Sequence, residues 1–470
     1  MTAENMDVVL LGVGTCGEDL GLRLAGEGLN VVGIEAELLG GECAYWACIP
    51  TKMMIRAADL IQEARRVEGV AGHADVTPDW TPVSKRIREE ASGGWDDSVA
   101  VSRFEEAGGR FVRGRGRLTG PSTVAVGDQR FTATRGIVIA TGSKPVIPPI
   151  PGLDEIEYWT THDAIKAEQL PASLIVLGGG AAGCEIAQVY SRFGVDVSVV
   201  EARDHLLPSE EPEAGEAVTA AFKAEGIAVH AGVRAEQIDG RGRSIAVSLG
   251  EGTELVTDRL LVATGRTANV DGLGLDAAGI DGSGGFLEVD DHLRVADGIW
   301  AIGDVTGRGN FTHVALYQAS IVAAELLGED APPARYDAVP RVTFTDPEVG
   351  AVGVSEADAR AAGIDVASAV KSVPATFKGW LHGPGNEGVV KLVVDRDAGV
   401  LIGATSVGPR GSEVLGLLSA AVHAKVPVAE LRWMIYAFPT FHGGVGEAFG
   451  AYARGLQQVL DPERDQSLMA

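Results

Sequence analysis

Two cysteines separated by four residues are the clearest chemical feature of the sequence. Cys43 and Cys48 lie in the segment 40–52, which reads Gly-Gly-Glu-Cys-Ala-Tyr-Trp-Ala-Cys-Ile-Pro-Thr-Lys. Such a pair can form a redox-active disulfide, supply ligands to zinc, or consist of two small packing residues. Structural zinc takes four ligands, and no other Cys or His is nearby in this stretch. The spacing therefore favours redox chemistry.

Glycine-rich turns occur twice, each time in the same context. Each turn follows a short apolar strand pattern, precedes a helical pattern, and has the spacing G-x-G-x-x-G. The glycines concerned are Gly12, Gly14 and Gly17 in the first turn, and Gly178, Gly180 and Gly183 in the second. A second apolar strand then ends in an acid, Glu35 or Glu201, which in both cases lies 23 residues after the first glycine.

The repeated pattern predicts two βαβ nucleotide-binding sites. Glycines allow the backbone to approach a pyrophosphate at a helix N-terminus, and the acid accepts hydrogen bonds from a ribose. One such turn alone is weak evidence, because the chain contains 63 glycines. Two turns with the same strand context and acid offset are strong evidence. Because hydride passes between them, a flavin and a nicotinamide dinucleotide are the natural pair of ligands.

The remaining elements complete the predicted fold. Both halves contain a further apolar strand that ends in Ala-Thr-Gly, over 137–142 and 260–265, and another strand over 299–302 runs into Gly303 and Asp304. After Pro340 the composition changes and no glycine fingerprint follows. The prediction is an α/β protein with two Rossmann-like dinucleotide-binding domains and a C-terminal α+β dimerisation domain.

Composition excludes several classes of protein. The chain has 470 residues, 46% hydrophobic and 22% charged, which is ordinary for a folded globular protein. Its net charge of -26 makes nucleic acid an unfavourable partner. Four cysteines are too few for a disulfide scaffold, the N-terminus resembles no signal peptide, and no apolar run is long enough to span a membrane. We therefore expect a cytoplasmic protein. The nine scattered histidines indicate no metal site.

With these motifs, essentially the whole chain resembles the class I pyridine nucleotide-disulfide oxidoreductases, the family of lipoamide dehydrogenase, glutathione reductase and mercuric reductase. The resemblance implies an FAD-binding domain in two segments, an inserted NAD(P)-binding domain and a dimerisation domain. The domains are placed at 1–155 and 290–339 for FAD, 156–289 for NAD(P), and 340–470 for the interface of a homodimer whose active site is shared between subunits.

The resemblance also assigns cofactor-binding residues. The first turn, Glu35 and Lys52 are expected at FAD, and the second turn and Glu201 at the nicotinamide dinucleotide. The further residues matched to the family are Thr141, Gly142, Gly303 and Asp304 at FAD, and Gly265 and Arg266 in the nicotinamide half. Glu201 at the ribose position favours NADH over NADPH, because a carboxylate repels a 2′-phosphate. Arg203 lies two residues later, where an arginine can contact a 2′-phosphate, so NADPH stays an alternative donor.

In the family mechanism, hydride from the nicotinamide reaches the flavin, which reduces the disulfide. By resemblance, Cys48 is the thiolate nearest the flavin and Cys43 attacks the substrate. The helix expected to begin around Cys48 would lower the thiol pKa through its positive N-terminus. Lys52 adds a positive charge, and the family implies that it pairs with Glu185.

Two stretches depart from the family pattern. Phe438 occupies the position of the catalytic histidine in His-Pro-Thr, and Gly443 that of its glutamate partner. His442 and Glu447 repeat the five-residue spacing, and a helix beginning at Pro439 would place His442 one turn beyond Phe438. We hypothesise that His442 and Glu447 replace the missing acid–base pair. An equal alternative is that His442 is a surface or packing residue. Tyr-Trp at 45–46 replaces the family's small polar residues, which indicates either an altered approach for the substrate or a packed aromatic. Of the two, we expect Trp46 to be a packing residue.

The sequence therefore predicts an FAD-dependent oxidoreductase. Hydride from NAD(P)H passes through FAD to the Cys43–Cys48 disulfide, and on to a disulfide or thiol-reactive small-molecule acceptor other than lipoamide. The alternative is a quinone-type flavin reductase, in which FAD reduces the acceptor directly and Phe438 is harmless because no thiol leaving group needs a proton. A redox sensor with little turnover is a third interpretation, which two complete nucleotide fingerprints disfavour.

Overall fold

The computed structural model describes residues 3–250 and 252–453, so the last part of the predicted domain 340–470 lies outside the described residues. The chain divides into two compact units, each assembled from three segments. Unit 1 contains the residues up to Thr51, Ser84–Val146 and Gly265–Tyr336. Unit 2 contains Lys52–Val83, Ile147–Thr264 and the residues from Asp337 onward. The four domain boundaries expected from the sequence stay a prediction.

The strands of the described residues are numbered in chain order. They are β1 Glu4–Leu11, β2 Val31–Glu35, β3 Arg110–Arg113, β4 Gly116–Gly120, β5 Thr123–Val126, β6 Gln129–Ile139, β7 Ser143–Pro145, β8 Ser173–Leu177, β9 Asp196–Glu201, β10 Ala228–Ala231, β11 Gln237–Arg241, β12 Ser244–Ser248, β13 Glu254–Thr257, β14 Arg259–Val262, β15 Arg266–Ala268, β16 Arg294–Ala296, β17 Ile299–Ala301, β18 Pro340–Thr343, β19 Glu348–Gly353, β20 Val366–Ser372, β21 Val389–Asp395 and β22 Val400–Gly408.

The α-helices are numbered in the same way. They are α1 Thr15–Gly26, α2 Gly41–Tyr45, α3 Cys48–Arg65, α4 Thr81–Arg86, α5 Ser98–Glu106, α6 Thr161–Lys166, α7 Ala181–Arg192, α8 Pro212–Ala224, α9 Thr312–Leu327, α10 Glu356–Ala361, α11 Phe377–His382, α12 Gly411–His423, α13 Val428–Trp433 and α14 Gly443–Ala453.

Unit 1 is built on a mainly parallel sheet of order β16-β17-β6-β1-β2-β3, to which the antiparallel strands β5 and β4 add beyond β6. Val8, Val9 and Leu10 of the central strand are fully buried. Such continuous apolar runs are typical of parallel strands covered on both faces. The glycine turn after β1 therefore lies at the carboxyl edge of the sheet, where open α/β sheets bind their ligands.

Unit 2 contains three sheets. The four-stranded sheet β10-β9-β8-β14 is parallel, the small sheet β11-β12-β13 is antiparallel, and the C-terminal sheet β18-β19-β22-β21-β20 is antiparallel. The β8–β9 pairing repeats the β1–β2 pairing of unit 1, with Leu174 opposite Val197 as Val8 is opposite Val31. The predicted duplication of the βαβ unit and the α/β fold class are confirmed.

The expected helix start at Pro439 is wrong, because α14 begins at Gly443. The residues before it form a turn that satisfies its own polar groups. The Thr440 hydroxyl donates to the Ala437 carbonyl at 2.6 Å and accepts from the Gly443 amide at 3.2 Å. His442 therefore lies just before the helix, rather than one turn along a helix from Phe438.

Candidate active site

The two cysteines flank a tight bend in unit 1. Cys43 lies in the short helix α2 and Cys48 is the first residue of α3; both are half-buried free thiols within hydrogen-bonding reach of each other. Trp46 between them is buried and stacks on Trp95, with ring centroids 5.7 Å apart. The prediction that Trp46 packs is confirmed, and this packing fixes the loop that joins the two thiols.

The pKa of one thiol of the pair is raised. The hydrogen bond to Cys48, together with burial, raises the pKa of Cys43 far above its ordinary value. A raised pKa means that the Cys43 thiol keeps its proton more readily than a free cysteine does. The assignment of the thiolate to Cys48 stays a prediction of the family resemblance.

A residue absent from the sequence prediction also reaches the pair. The Thr312 hydroxyl oxygen lies 3.4 Å from the Cys48 sulfur. Thr312 is the first residue of α9 and is 264 positions away from Cys48 along the chain. No local spacing connects the two residues, so only the folded sheet order brings them together.

The first glycine turn is shaped to receive a nucleotide. A side chain at Gly12 would place its Cβ 2.3 Å from the Ala140 carbonyl oxygen, and one at Gly17 would place it 2.4 Å from the Gly12 oxygen. Gly14 caps α1 and has open space on its outer side, because a Cβ placed there would meet no atom closer than the Gly41 Cα at 3.8 Å. The helix therefore presents first-turn amides that no side chain caps, as a pyrophosphate requires.

The acid at the end of β2 is fixed by the same turn. Glu35 accepts hydrogen bonds from the amides of Val13 and Glu37, both at 2.8 Å. Burial raises the pKa of this carboxyl. A carboxylate has about four acceptor positions, so two remain for the hydroxyls of a ribose. Glu35 therefore fits the role expected of it at FAD.

The later motifs of unit 1 form a polar chain. Ser143 donates to Asp304 at 2.6 Å and accepts from Arg266 Nε at 2.7 Å, while Arg266 also pairs with Glu42 at 3.2 Å. Burial raises the pKa of Asp304. The sequence grouped Arg266 with the nicotinamide half, whereas the structure places it, with Gly265, in unit 1 beside Ser143.

Backbone geometry explains the glycines of these motifs. Gly142 and Gly303 have φ values of 68° and 78°, a region that other residues avoid. The hydroxyl oxygen of Thr141 is buried and has no hydrogen-bond partner within residues 3–250 and 252–453, and a polar ligand would provide one. Together with the open glycine turn and Glu35, this unsatisfied hydroxyl fits the FAD that the family uses.

The second glycine turn, in unit 2, repeats the first. Side chains at Gly178 and Gly183 would come within 2.3 Å and 2.0 Å of backbone oxygens, whereas Gly180 faces open space at the start of α7. Glu201 accepts hydrogen bonds from the Gly179 and Arg203 amides, both at 2.7 Å. The equivalent turns and acids fit two dinucleotides of the same general chemistry.

The lysine of the redox motif is held by a buried acid of unit 2. Lys52 Nζ donates to Glu185 Oε2 at 2.8 Å and lies 4.6 Å from the centroid of the Phe344 ring. The other oxygen of Glu185 accepts from the Phe344 amide at 2.9 Å. The expected ion pair is present, and the backbone bond fixes the carboxylate that orients the lysine.

The C-terminal stretch that departs from the family pattern, residues 438–447, also belongs to unit 2. Phe438 is 73% exposed and packs edge-on against Phe377, with ring centroids 5.1 Å apart. Glu447 forms an ion pair at 3.5 Å with Lys371, a lysine that is itself buried on β20. Glu447 is thus paired with a lysine, and the joint catalytic role of His442 and Glu447 stays a prediction.

Two family models cover most of the chain. Residues 6–319 match the pyridine nucleotide-disulphide oxidoreductase model, and residues 339–449 match the dimerisation domain of the same family. This chain is a member of the pyridine nucleotide-disulphide oxidoreductase family, as the resemblance implied. It is accordingly a flavoprotein oxidoreductase of the class that uses FAD and NAD(P)H, and its dimerisation domain indicates a homodimer.

Its relatives have different substrates. The chain is 34% identical over 459 residues to a dihydrolipoyl dehydrogenase of Chlorobaculum tepidum, covering 95% of this chain and 97% of the relative. It is 31% identical over 470 residues to a mercuric reductase of Acidithiobacillus ferrooxidans, with coverages of 97% and 84%. Identity at this level to both leaves the acceptor to be argued from the site.

Solved structures with the same fold also include proteins of different names. The Cu(II) complex of the HOCl-induced flavoprotein disulfide reductase RclA from Escherichia coli superposes with a TM-score of 0.83 and 26% identity, covering 96% of this chain and 99% of that one. LpdA from Mycobacterium tuberculosis also gives 0.83, with 28% identity and coverages of 96% and 100%.

No helix within 3–250 or 252–453 combines the length and apolarity needed to cross a bilayer. Over the same ranges, no group of three or more His, Cys, Asp or Glu side chains is arranged to hold a metal ion.

Proposed function

We propose that this protein is an NAD(P)H-dependent flavoprotein reductase that acts through the Cys43–Cys48 pair. One observation carries the proposal: the segment that bears the thiols is attached directly to the first nucleotide turn. Gly40 forms a β-bridge with Gly14, and its carbonyl accepts from the Thr15 hydroxyl at 3.0 Å. The thiol pair therefore lies beside the turn that fits FAD.

The residues of the chain divide the chemistry between them. Bound FAD supplies a group that takes hydride from the nicotinamide and passes two electrons to the disulfide. By the family resemblance, Cys48 holds the negative charge of the reduced pair, and the raised pKa of Cys43 keeps that thiol protonated until an acceptor is attacked. Glu185 and the Phe344 ring hold the Lys52 ammonium in place.

The proposed acceptor is a disulfide or another thiol-reactive small molecule that needs little help from a proton donor. Phe438 has no proton to give, and a positioned acid is worth about 10²- to 10⁴-fold in rate. Relatives named for reduction of mercury, and a structural neighbour solved as a complex with Cu(II), support the proposal of a thiol-reactive acceptor. Lipoamide, whose leaving thiol needs protonation, is the less suitable substrate.

The proposal extends to the nicotinamide donor, the arrangement of the subunits and the cellular location. NADH is the proposed donor, because the buried Glu201 carboxylate stands at the ribose position of the second turn. The active site is proposed to be shared between the two subunits of the homodimer. A cytoplasmic location is proposed, since a disulfide that is repeatedly reduced by NADH suits a reducing compartment.

The test is the NADH-dependent appearance of two thiols. The FAD-bound protein is reduced anaerobically with NADH, denatured, alkylated and analysed by peptide mass spectrometry, with NADPH in a parallel sample. We expect the Cys43 and Cys48 peptides to be unmodified before NADH and fully modified after one equivalent, with NADPH slower. Cys16 and Cys184 serve as internal controls, since both are buried single thiols that label regardless of NADH once unfolded. Bleaching of the flavin without new thiols would contradict the proposal.

The proposed acid–base pair has its own test. Replacing His442 by Gln should lower turnover with oxidised lipoamide or glutathione about 100-fold, if this histidine protonates the leaving thiol. An aromatic disulfide with an acidic leaving thiol should be affected little, because it departs without a proton. His423→Gln is the matched control, since that histidine is exposed at the end of α12. Equal turnover of His442→Gln and wild type with both acceptors would assign His442 to packing.

A further inference from the structure

Thr312 contacts the Cys48 sulfur from outside the cysteine motif. Its hydroxyl oxygen lies 3.4 Å from Cys48 Sγ, within the 4.0 Å range of hydrogen bonds to sulfur. Thr312 and Cys48 are both half-buried and both belong to unit 1. The contact is therefore shielded from water, which strengthens a hydrogen bond to a charged group.

The position of Thr312 in its helix makes the hydroxyl available. A threonine inside a helix commonly donates to the carbonyl four residues earlier. Thr312 is the first residue of α9, so no preceding helical turn offers such a carbonyl. The hydroxyl hydrogen can therefore be directed to the thiol.

The surrounding backbone favours negative charge at the same place. Three helices have their first residue in unit 1, at residues that contact or belong to the pair: α1 at Thr15, α3 at Cys48 and α9 at Thr312. Hydrogen bonds from Thr15 and Thr312 also act on Cys43 and partly oppose the rise of its pKa. Helix N-termini carry partial positive charge, and a thiolate at such an end is stabilised.

We propose that Thr312 is a positioning residue of the redox centre, whose hydroxyl donates a hydrogen bond to the Cys48 thiolate and holds that sulfur in its ionised form. This role deepens the proposed function and rests on it. A charge-assisted hydrogen bond is lost when the hydroxyl is removed, and the thiolate then forms only at higher pH.

The experiment measures ionisation of Cys48 directly, without turnover. In a Cys43→Ser background, Cys48 is the one half-buried cysteine, since Cys16 and Cys184 are buried. The rate of its alkylation by iodoacetamide is followed from pH 4 to 10 by peptide mass spectrometry. The variants compared are Thr312→Val, which keeps the shape without the hydroxyl, and Thr312→Ser, which keeps the hydroxyl.

We expect Thr312→Val to lower the ionisation constant of Cys48 about tenfold, moving the midpoint of the profile to higher pH. Thr312→Ser should retain the parent midpoint. Ser320→Ala is the matched control, because Ser320 lies on the same helix and donates only to the Leu316 carbonyl. The other titratable groups nearby, His313 on α9 and the Glu42–Arg266 pair, are unchanged in every variant.

Two results would overturn the role of Thr312. One is a Thr312→Val profile that superimposes on its parent, and the other is a Thr312→Ser midpoint that moves as far as that of Thr312→Val. The outcome is separate from that of the proposed function. Should NADH fail to unmask the thiols while Thr312→Val still shifts the profile, the reductase proposal fails and the hydrogen bond stands.

Discussion

Replacing Cys43 by Ser is expected to lower NADH-dependent reduction of an aromatic disulfide by more than about 10³-fold. The attacking group must be a thiolate, and a serine hydroxyl neither ionises near neutral pH nor forms a disulfide with Cys48. Because Cys43 is half-buried beside Cys48, the substitution removes one sulfur and leaves a polar atom of similar size. Steady-state NADH oxidation with and without the disulfide measures the loss.

A quinone provides the control within the same protein. A quinone accepts electrons directly from a reduced flavin, so Cys43→Ser should keep its NADH:quinone turnover within a few-fold of wild type. Retention shows that both nucleotide sites are intact and assigns the lost activity to the thiol. Undiminished disulfide reduction by Cys43→Ser would instead support the flavin reductase that the sequence left as the alternative.

The sequence predicted those parts of the site that depend on local spacing. A glycine turn, the strand before it and the acid 23 residues later are all contained in one βαβ unit, so their geometry follows from short-range patterns. The same is true of the redox segment and of the helix that begins at Cys48. The Lys52–Glu185 pair spans 133 residues, and it was expected only through the family resemblance.

The features that the sequence did not predict depend on long-range packing. Thr312 reaches Cys48 because β17 and α9 return to the sheet that carries the first turn. Arg266 follows the second Ala-Thr-Gly, yet it bonds with Ser143 across the pairing of β15 and β7. His442 lies in the turn before α14, and not in a helix, because the Thr440 hydroxyl forms hydrogen bonds with the backbone of that turn. No pattern of residue spacing in the sequence indicates these contacts.

A buried arginine in unit 2 is another feature that no motif indicated. Arg192 ends α7 with 1% of its surface exposed. Its guanidinium donates to both oxygens of Glu225 at 2.7 and 2.8 Å, to Asp59 at 2.7 Å and to Asp346 at 2.7 Å. One cation thus joins carboxylates from three separate parts of unit 2. Burial raises the pKa of Asp59 to about 6, even with Arg192 beside it.

Replacing Arg192 by Met is expected to reduce the free energy of unfolding by about 3–5 kcal/mol. Methionine fills much of the space but removes the partner that the three carboxylates share. Asp346 keeps its ion pair with Arg66 at 2.8 Å, so the cost of uncompensated charge falls on Asp59 and Glu225. Urea unfolding followed by tryptophan fluorescence measures the change, since Trp80 contacts Tyr190 on the same helix at a centroid distance of 5.6 Å. Arg65→Met is the matched control, because Arg65 is exposed and makes only a long 3.4 Å bond to the Arg192 carbonyl.

The pH dependence separates lost charge pairing from lost packing. Burial raises the pKa of Asp59 and Arg192 opposes that rise, so without Arg192 the folded state holds the proton of Asp59 more tightly than the unfolded chain does. Folding of the variant is therefore favoured as the pH falls, and its deficit relative to wild type should be smaller at pH 5 than at pH 8. A packing defect alone would give the same deficit at both values. Equal losses at pH 5 and pH 8, or wild-type stability of Arg192→Met, would show that the carboxylates do not depend on this arginine.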